Sequence, residues 1–344
     1  MTPKKHLIAL VGFGTVAKGL CQILHDKRDK LLNEHGFDFE IVAVTTRSRG
    51  TMYQPQGILL AHLLELSKTA GPFSEHLNDW DAETMIRNSN ATVVVELAHT
   101  NIESAEPALT HCRAAFETGK HVICGNKGPA AVAYDEMKAL ASQQNRFFLN
   151  EATVLSGTPV FSFAKTALAG NTIQGIRGIL NGASNFMLSE MEAGTPYTQA
   201  LELAESLGYL EADHTADIDG YDAQAKLVIL ANILMGTTLQ LDVVKRTGIN
   251  SITPEDIQSA KQNQERWKLI ATLKLQGETI HAEVKPEKLA LSDPLAHVMG
   301  TTNSITFSTD LLGDITITGP GAGSMETGYS ILSDLLTINN GESL

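Results

Sequence analysis

Residues 7–24 read Leu7-Ile-Ala-Leu-Val11, then Gly12-Phe13-Gly14-Thr15-Val16-Ala17, then Lys18-Gly-Leu-Cys-Gln-Ile-Leu24. The first run has the length of a buried strand, and the last has the periodicity of a helix. In the G-x-G-x-x-A pattern between them, Gly12 makes a tight turn, Gly14 lets the main chain approach a pyrophosphate, and Ala17 lets helix and strand pack closely. The N–H groups that open the helix would face the phosphates. This order of elements predicts dinucleotide binding by residues 12–16.

The residues that follow the second predicted strand, Phe39–Val44, bear on which dinucleotide is bound. They read Thr45-Thr-Arg47-Ser-Arg49. An acid at this point of the fold would accept a hydrogen bond from the ribose of NAD and repel the 2′-phosphate of NADP. Two cations stand there instead, so we predict NADP as the preferred cofactor, bound by Arg47 and Arg49, with NAD as the alternative. Arginines that only solvate the loop would give no such preference.

Two further predicted strands end in polar residues. Ala91–Leu97 is followed by Ala98 and His99, and the strand 120–124 is followed by Gly-Asn-Lys127. Ligands of open α/β sheets bind beyond the carboxyl ends of the strands. We therefore expect Ala98 and His99 to contact the nicotinamide end of the cofactor, and Lys127 to lie where catalysis occurs. A purely structural role is the alternative for both His99 and Lys127.

A second cluster of charges lies within Leu207–Lys226. Five acids occur in twelve residues, and Lys226 follows the last of them, Asp222, by four positions. Residues four apart share one face of a helix, and the next run, Leu227–Met235, is apolar nearly all round and must be buried. Asp222 and Lys226 therefore enter the interior, where a charge requires a partner or a function. A solvated surface pair is the alternative, whereas an EF-hand is not supported because its ligand positions are not filled. The five acids are Glu211, Asp213, Asp217, Asp219 and Asp222.

The whole composition is that of a globular protein with room for two domains. The chain has 344 residues and a net charge of −13, which disfavours nucleic acid and anionic membranes as partners. No stretch is long and apolar enough to cross a bilayer, and the N-terminus has no signal-peptide pattern. The three cysteines are widely spaced, which favours neither a disulfide framework nor a zinc site. We expect a cytoplasmic, reduced protein.

The sequence resembles the homoserine dehydrogenase family in several motifs that follow the family's order from Gly12 to about Leu336. Glu211, Asp222 and Lys226 match its glutamate, the aspartate eleven residues later and the lysine four residues after that. The Asn-Lys pair at Lys127 and the segment Gly178-Ile-Leu-Asn-Gly182 also match. Four family positions differ. Ala183 replaces the usual threonine, Leu155 and Ser156 replace common small glycines, and Glu326 replaces a common proline after the closing glycine loop 319–323.

The resemblance implies a fold, an activity and an assembly. It implies an α/β protein with a Rossmann-type dinucleotide-binding domain, formed by residues 1–150 and 310–344. An α+β substrate and dimerisation domain with a mixed sheet would span residues 151–309. The activity would be NAD(P)-dependent interconversion of L-aspartate 4-semialdehyde and L-homoserine, in threonine and methionine biosynthesis. We also expect a homodimer of the short form, without a C-terminal regulatory domain.

The resemblance further implies roles for individual residues. Lys226 would transfer the proton, held by Asp222, while Lys127 orients the reacting hydroxyl; the opposite assignment of the two lysines stays open. Gly321 would contact the cofactor. Main-chain carbonyls would hold a sodium ion at Glu151, Val154, Ser156 and Thr158. The substrate would be bound by Glu211, Asp217, Asp222, Lys127, Gly182 and Tyr209.

Two other functions remain alternatives at this point. Another two-domain Rossmann oxidoreductase, acting on a sugar or a different amino acid aldehyde, would use Lys127 without needing Glu211, Asp222 and Lys226. A non-catalytic NADP-binding sensor would tolerate the loss of both lysines.

Overall fold

The computed structural model describes residues 5–74, 77–210, 213–277 and 279–341. The chain forms two compact units. The first consists of residues up to 165 together with those from 323 onward, and the second consists of residues 166–322. Strands and helices are numbered below in chain order.

The first unit is an α/β sandwich of Rossmann type. Its described strands are β1 Lys5–Val11, β2 Asp38–Thr46, β3 Gly50–Tyr53, β4 Leu77–Asn78, β5 Val93–Glu96, β6 His121–Cys124 and β7 Phe148–Leu149. Its described helices are α1 Thr15–Asp26, α2 Arg28–His35, α3 Leu60–Ser67, α4 Ala82–Asn88, α5 Ala108–Glu117, α6 Lys127–Val132, α7 Tyr134–Gln143, α8 Val160–Thr166 and, near the end of the chain, α14 Ser324–Asn340. A short 3-10 helix spans Glu151–Thr153.

The sheet of this unit reverses its direction of growth at β1. The strand order is β4-β3-β2-β1-β5-β6-β7, and β1 is parallel to both β2 and β5. The chain builds outward from β1 through β2 and β3, and then continues from β5 on the other side of β1. The crevice beyond the carboxyl ends of β1 and β5 is therefore the topological switch point, where ligands of this fold bind.

Alternating residues of the central strands face two separate apolar layers. Ile8 and Leu10 of β1 pack in one layer with residues of α1 and α14, whereas Ala9 and Val11 pack in the other with residues of α5 and α7. Both faces of the parallel strands are thus covered, which explains why β5 begins as an unbroken valine run.

The second unit is built on a mixed sheet. Its described strands are β8 Ile173–Ile179, β9 Lys245–Arg246, β10 Glu265–Gln276, β11 Thr279–Ala290, β12 Thr302–Thr309 and β13 Gly313–Pro320, in the order β13-β12-β8-β10-β11-β9. Its described helices are α9 Gly182–Ala193, α10 Tyr197–Ser206, α11 Thr215–Ile218, α12 Tyr221–Leu234 and α13 Pro254–Gln262, with 3-10 turns at Leu241–Val243 and Pro294–His297. The pairs are antiparallel except for β9 and β11, which are parallel.

Helices α12 and α13 form as their sequence patterns predict. Every residue of α12 from Ala223 to Asn232 is buried, in agreement with the apolar run that predicted an interior helix. Helix α13 begins with the capping box of Thr253 and Asp256 and with Pro254 at its first position, the local signals that favour a helix start.

Several predicted boundaries were wrong. The helix expected from residue 103 begins at Ala108, because Pro107 precedes it and a proline disfavours helical geometry in the residue before it. Strands β3 and β4 lie in a region that we expected to be loop and short helix. The sequence Gly194-Thr-Pro196 predicts Thr195 as the cap of α10, but its hydroxyl donates to the carboxylate of Glu190.

The boundaries between the two units lie after residues 165 and 322, whereas we expected them after residues 150 and 309. The carboxylate of Glu151 accepts hydrogen bonds from the N–H groups of Phe161 and Ser162, which ties the start of α8 to the first unit. At the other end, β13 pairs with β12 and so belongs to the second sheet. Hydrogen bonding beyond the local sequence determines both limits.

Within the ranges that the structure describes, no helix has the length and apolar character needed to span a membrane. Cys21, Cys112 and Cys124 are buried and are not disulfide-bonded.

Candidate active site

The glycine turn after β1 has the geometry of a pyrophosphate cradle. Gly12 has a φ of +100°, and a Cβ there would lie 2.5 Å from the carbonyl oxygen of Leu97, so only glycine fits. Gly14 precedes the first turn of α1, formed by Thr15 and Val16, and no atom lies within 4 Å of the position of its Cβ. The ring of Phe13 is buried against Phe73, with ring centroids 6.2 Å apart. The open space at Gly14 beside a helix N-terminus fits a dinucleotide phosphate.

The two predicted arginines differ in their surroundings. Nε of Arg49 donates to the carbonyl of Gly71 at 2.8 Å, and Nη1 donates to the carbonyl of Leu66 at 3.1 Å. Its guanidinium carbon also lies 4.5 Å from the ring centre of Phe73. Arg47 is exposed in the loop after β2. Arg49 therefore holds its own loop together, and Arg47 is the more accessible cation for a cofactor phosphate.

Asn126 organises the residues at the ends of β5 and β6. Its Nδ2 donates to the carbonyls of Ala98 and His99 at 3.1 and 3.2 Å. Its Oδ1 accepts from the N–H of Gly128 at 2.9 Å and so caps α6, of which Lys127 is the first residue. His99 is exposed and Lys127 is half-buried. Our sequence reasoning missed Asn126, although an asparagine directly before a helix is a recognised capping signal.

The second unit brings the predicted lysine and two of the predicted acids together. Nζ of Lys226 lies 2.6 Å from Oδ2 of Asp222 and donates to the carbonyl of Leu180 at 2.7 Å. The side chains are 9% exposed for Lys226 and 16% exposed for Asp222. Nδ2 of Asn181 donates to Oδ1 of Asp217 at 2.6 Å and to Oδ2 of Asp222 at 3.0 Å. Two carboxylates thus lie beside one ammonium, and carboxylates are groups that bind a cationic ligand.

Asn181 also begins the helix that carries Gly182. Its Oδ1 accepts from the N–H of Ser184 at 2.8 Å and caps α9. A Cβ on Gly182 would lie 2.5 Å from the carbonyl oxygen of Thr301, so the main chain packs closely there. The sequence motif assigns no role to Asn181. Its capping function has a local signal, since an asparagine directly precedes the helix, but its contact with the acids depends on tertiary structure.

Three further predicted site residues are Glu211 and Tyr209 for the substrate and Gly321 for the cofactor. Glu211 lies outside the described residues. Tyr209 is 43% exposed and packs edge-on against Phe186, with ring centroids 5.0 Å apart. Gly321 follows β13 in the second unit, where a Cβ would collide with the amide of Asn303.

Two other acids of the stretch have local partners. The carboxylate of Asp213 accepts from the N–H of Thr215 at 3.1 Å. Hydrogen bonding by the side chain of Thr215, and then by this N–H, lowers the pKa of Asp213. The carboxylate of Asp219 accepts from Nδ2 of Asn250 at 3.0 Å. The carbonyl of Asp219 accepts from Arg246, whose guanidinium carbon lies 3.4 Å from the ring centre of Tyr221. These contacts shape the turn into α12.

The predicted cation-binding segment is held by buried polar contacts. Burial raises the pKa of Glu151, and burial followed by the charge of Glu151 raises the pKa of Asp334, whose Oδ2 accepts from the N–H of Glu151 at 3.1 Å. The carbonyl of Ser156 accepts from the hydroxyl of Ser330, and the N–H of Thr158 donates to the carbonyl of Leu155 at 2.5 Å; Val154 is buried. Among the described residues no group of three or more His, Cys, Asp or Glu side chains could hold a metal, so a cation here would depend on main-chain carbonyls.

Comparison with known proteins identifies the family. Residues 12–151 match the model of the homoserine dehydrogenase NAD-binding domain, and residues 159–336 match the model of homoserine dehydrogenase. An NAD(+)-dependent homoserine dehydrogenase of Pseudomonas canavaninivorans is 41% identical over 97% of this chain and 96% of that protein. The chain belongs to the homoserine dehydrogenase family. This confirms the resemblance inferred from the motifs.

Solved homoserine dehydrogenase structures agree with the two-unit fold. A putative homoserine dehydrogenase from Archaeoglobus fulgidus superposes with a TM-score of 0.87 at 35% identity, over 97% of this chain and 99% of that chain. A hyperthermophilic archaeal homoserine dehydrogenase in complex with NADPH gives a TM-score of 0.83 at 29% identity, with 97% of both chains covered. The Rossmann-type fold predicted from residues 7–24 is thus confirmed, together with its capacity to bind NAD(P).

Proposed function

We propose that this chain is an NAD(P)-dependent dehydrogenase that interconverts L-homoserine and L-aspartate 4-semialdehyde. The observation that supports it most strongly is the group of Asp217, Asp222 and the buried Lys226 around the buried Asn181, in a chain of the homoserine dehydrogenase family. This group offers carboxylates for an ammonium and a cation for an oxygen. Both are needed by a small zwitterion whose far end carries the reacting alcohol or aldehyde.

The carboxylates would bind and orient the substrate amine. Asn181 fixes the directions of Asp217 and Asp222 by donating to both, so neither has to be ordered when the ligand arrives, and less binding energy is lost to side-chain ordering. Glu211 is proposed as a further partner of the amine on the basis of the motif alone. Gly182 and Tyr209 would line the same site.

The lysines would serve the reacting oxygen. The bound nicotinamide supplies hydride chemistry, accepting hydride in one direction and donating it in the other. We assign proton transfer to Lys226, which would protonate the alkoxide formed in reduction and accept the hydroxyl proton in oxidation. Asp222 and the carbonyl of Leu180 hold its ammonium in place. Lys127 would orient the hydroxyl, and exchange of the two roles is the alternative.

The cofactor would be bound at the switch point of the first unit, by residues 12–16 with Ala98, His99 and Lys127. We propose NADP as the preferred cofactor, with Arg47 as the main contact for its 2′-phosphate because that residue is exposed while Arg49 is engaged by its own loop. Gly321 remains a proposed contact on the strength of the motif alone. Relatives use both cofactors, since one is named as NAD(+)-dependent and another was solved with NADPH.

A monovalent cation and a homodimer are further parts of the proposal. Sodium would be held by the carbonyls of Glu151, Val154, Ser156 and Thr158. The site is tested by comparing the activity in sodium with the activity in a bulky organic cation.

In support of a dimer, every residue of the edge strand β13 is at least partly exposed. The sheet also carries a groove of about 890 Å³, which Arg177, Glu287 and Thr316 help to line. Light scattering of the purified chain tests the dimer. Three buried thiols without disulfides are compatible with a cytoplasmic location.

The experiment that tests the function is the oxidation of L-homoserine with NADP or NAD by the native chain, Lys226→Ala and Lys127→Ala. We expect clear turnover by the native chain and a loss of ~10²–10⁴-fold for the residue that transfers the proton. If the native chain binds NADP but leaves homoserine unchanged, the proposed reaction is wrong. If both variants keep full turnover, the assigned roles of the lysines are wrong.

A further inference from the structure

A carboxylate that no step above uses lies at the switch point of the first sheet. Glu96 is the last residue of β5, and none of its surface is exposed. Its main chain pairs with Val11 on one side and with Cys124 on the other, so it lies between the ends of the strands that lead to Gly12 and to Lys127. The preceding residues of β5 are valines. An ionisable group at this point therefore interrupts an apolar strand.

The side chain of Glu96 folds back onto the loop that follows it. Its Oε1 accepts from the N–H of Ala98 at 2.7 Å, and its Oε2 lies 2.7 Å from Nδ1 of His111, a buried residue of α5. Replacing such a buried polar pair by apolar residues of the same shape can be nearly neutral for stability, because its hydrogen bonds do little more than offset the cost of removing the two groups from water. The pair is better explained by what it holds, which is the main chain at Ala98.

Asn126 holds the same loop from the opposite direction. It donates to the carbonyls of Ala98 and His99 and caps the helix that begins with Lys127. Both polar groups of the Ala98 main chain are thus engaged by buried side chains. The preceding peptide also contacts the phosphate turn, since Cα of Gly12 packs against the carbonyl of Leu97. The loop conformation is therefore determined on three sides.

We propose that Glu96 and His111, together with Asn126, are positioning residues that hold the main chain at Ala98 and His99 in the form that receives the nicotinamide half of the cofactor. This inference rests on the proposed cofactor site at the switch point. None of the three residues needs to touch the substrate. They act on the reaction only through this loop. Their loss should therefore weaken binding of the nicotinamide half of the cofactor but not of the adenosine half, which would be bound by the phosphate turn and the loop after β2.

The test compares the affinity for NADP with that for 2′-phospho-ADP-ribose, a fragment without nicotinamide, by titration calorimetry. Glu96→Ala removes the acceptor of the Ala98 N–H, whereas Glu96→Gln retains an acceptor for it. For Glu96→Ala we expect NADP affinity to fall about 10-fold, the size expected for one lost buried hydrogen bond, and kcat to fall with it. Fragment affinity should stay within about 2-fold of the native value, and Glu96→Gln should recover most of the NADP affinity.

His6→Ala is the matched control, because His6 is a buried histidine at the opposite end of the same sheet, on β1. It should lower the unfolding temperature while leaving the ratio of the two affinities unchanged. If Glu96→Ala does not fold, His111→Ala replaces it, with an expected fall in NADP affinity of about 3-fold and no change for the fragment.

The inference is overturned if the folded variant weakens both ligands by the same factor, or weakens neither. Because both readouts are binding constants, they test the loop even if the native chain does not oxidise homoserine. Failure of the proposed reaction would instead appear in the native chain alone.

Discussion

The pair of Lys226 and Asp222 permits a quantitative prediction of stability. Lys226→Met removes the ammonium and keeps most of the volume of the side chain. Asp222 would then keep its hydrogen bond from Asn181 but lose the cation 2.6 Å away. Removing one partner of a buried ion pair typically costs about 3–5 kcal/mol. Because the Asp222 side chain is 16% exposed and retains Asn181, we place the cost at the lower end, about 3 kcal/mol.

This loss in the free energy of unfolding can be measured for the second unit alone. Trp80 and Trp267 are the two tryptophans of the chain, and they lie in the first and second units respectively. In a Trp80→Phe background, the fluorescence of Trp267 reports urea unfolding of the unit that holds the ion pair. With an m-value of ~2 kcal/mol per M, a loss of about 3 kcal/mol lowers the unfolding midpoint by about 1.5 M.

The control is the double variant Lys226→Met/Asp222→Asn, in which neither charge remains. It should recover most of the lost stability, because the cost arises from the carboxylate that has lost its ammonium rather than from the absence of the ammonium as such. The reasoning is refuted if Lys226→Met unfolds at the same urea concentration as its parent. It is also refuted if the double variant is no more stable than the single one.

Three further predictions concern the cofactor site and the pH dependence of stability. Gly14→Ala should leave the unfolding temperature nearly unchanged, because a Cβ at this position meets no protein atom, but it should lower the affinity for NADP in a binding titration. Gly12→Ala should lower both the affinity and the stability. Equal effects of the two variants would contradict the proposed pyrophosphate cradle. Arg47→Ala should lower kcat/KM for NADP but not for NAD, whereas Arg49→Ala should destabilise the loop and lower kcat/KM for both cofactors alike. If the ratio of kcat/KM for NADP to that for NAD is unchanged in Arg47→Ala, Arg47 does not determine a preference for NADP. Burial lowers the pKa of Lys268 from 10.5 to about 8, so between these pH values the unfolded state binds more protons and stability rises with pH. In urea titrations, the free energy of unfolding of the native chain minus that of Lys268→Met should therefore increase by about 3 kcal/mol as the pH rises across that range. A difference that does not change with pH would contradict the shifted pKa.

Local pattern predicted those parts of the fold and site that depend on neighbouring residues. The strand, glycine turn and helix of residues 7–24 are contiguous, so their spacing alone indicated the pyrophosphate cradle. Asp222 and Lys226 are four residues apart on α12, and helix geometry brings such residues together wherever the helix lies. The apolar run that follows them indicated that the pair is buried.

Contacts between distant residues were accessible only from the tertiary structure. Asn181 joins two acids that lie 36 and 41 residues away, and no periodicity reports that distance. The same holds for Glu96 and His111, which belong to different elements. The contacts of Arg49 with Leu66, Gly71 and Phe73 likewise have no signal in the sequence. Strands β3 and β4 were missed because such short strands are stabilised by pairing with their neighbours more than by a pattern of their own.

The sequence by itself thus determined the family, the class of cofactor and the residue types available for catalysis, because these follow from local geometry and motif spacing. The tertiary structure decided which of those residues are buried, which are already engaged, and which additional side chains hold them in place. The physical reason is that burial and long-range hydrogen bonds arise from the packing of whole elements. That packing brings Asp217, Asp222 and Lys226 together around Asn181.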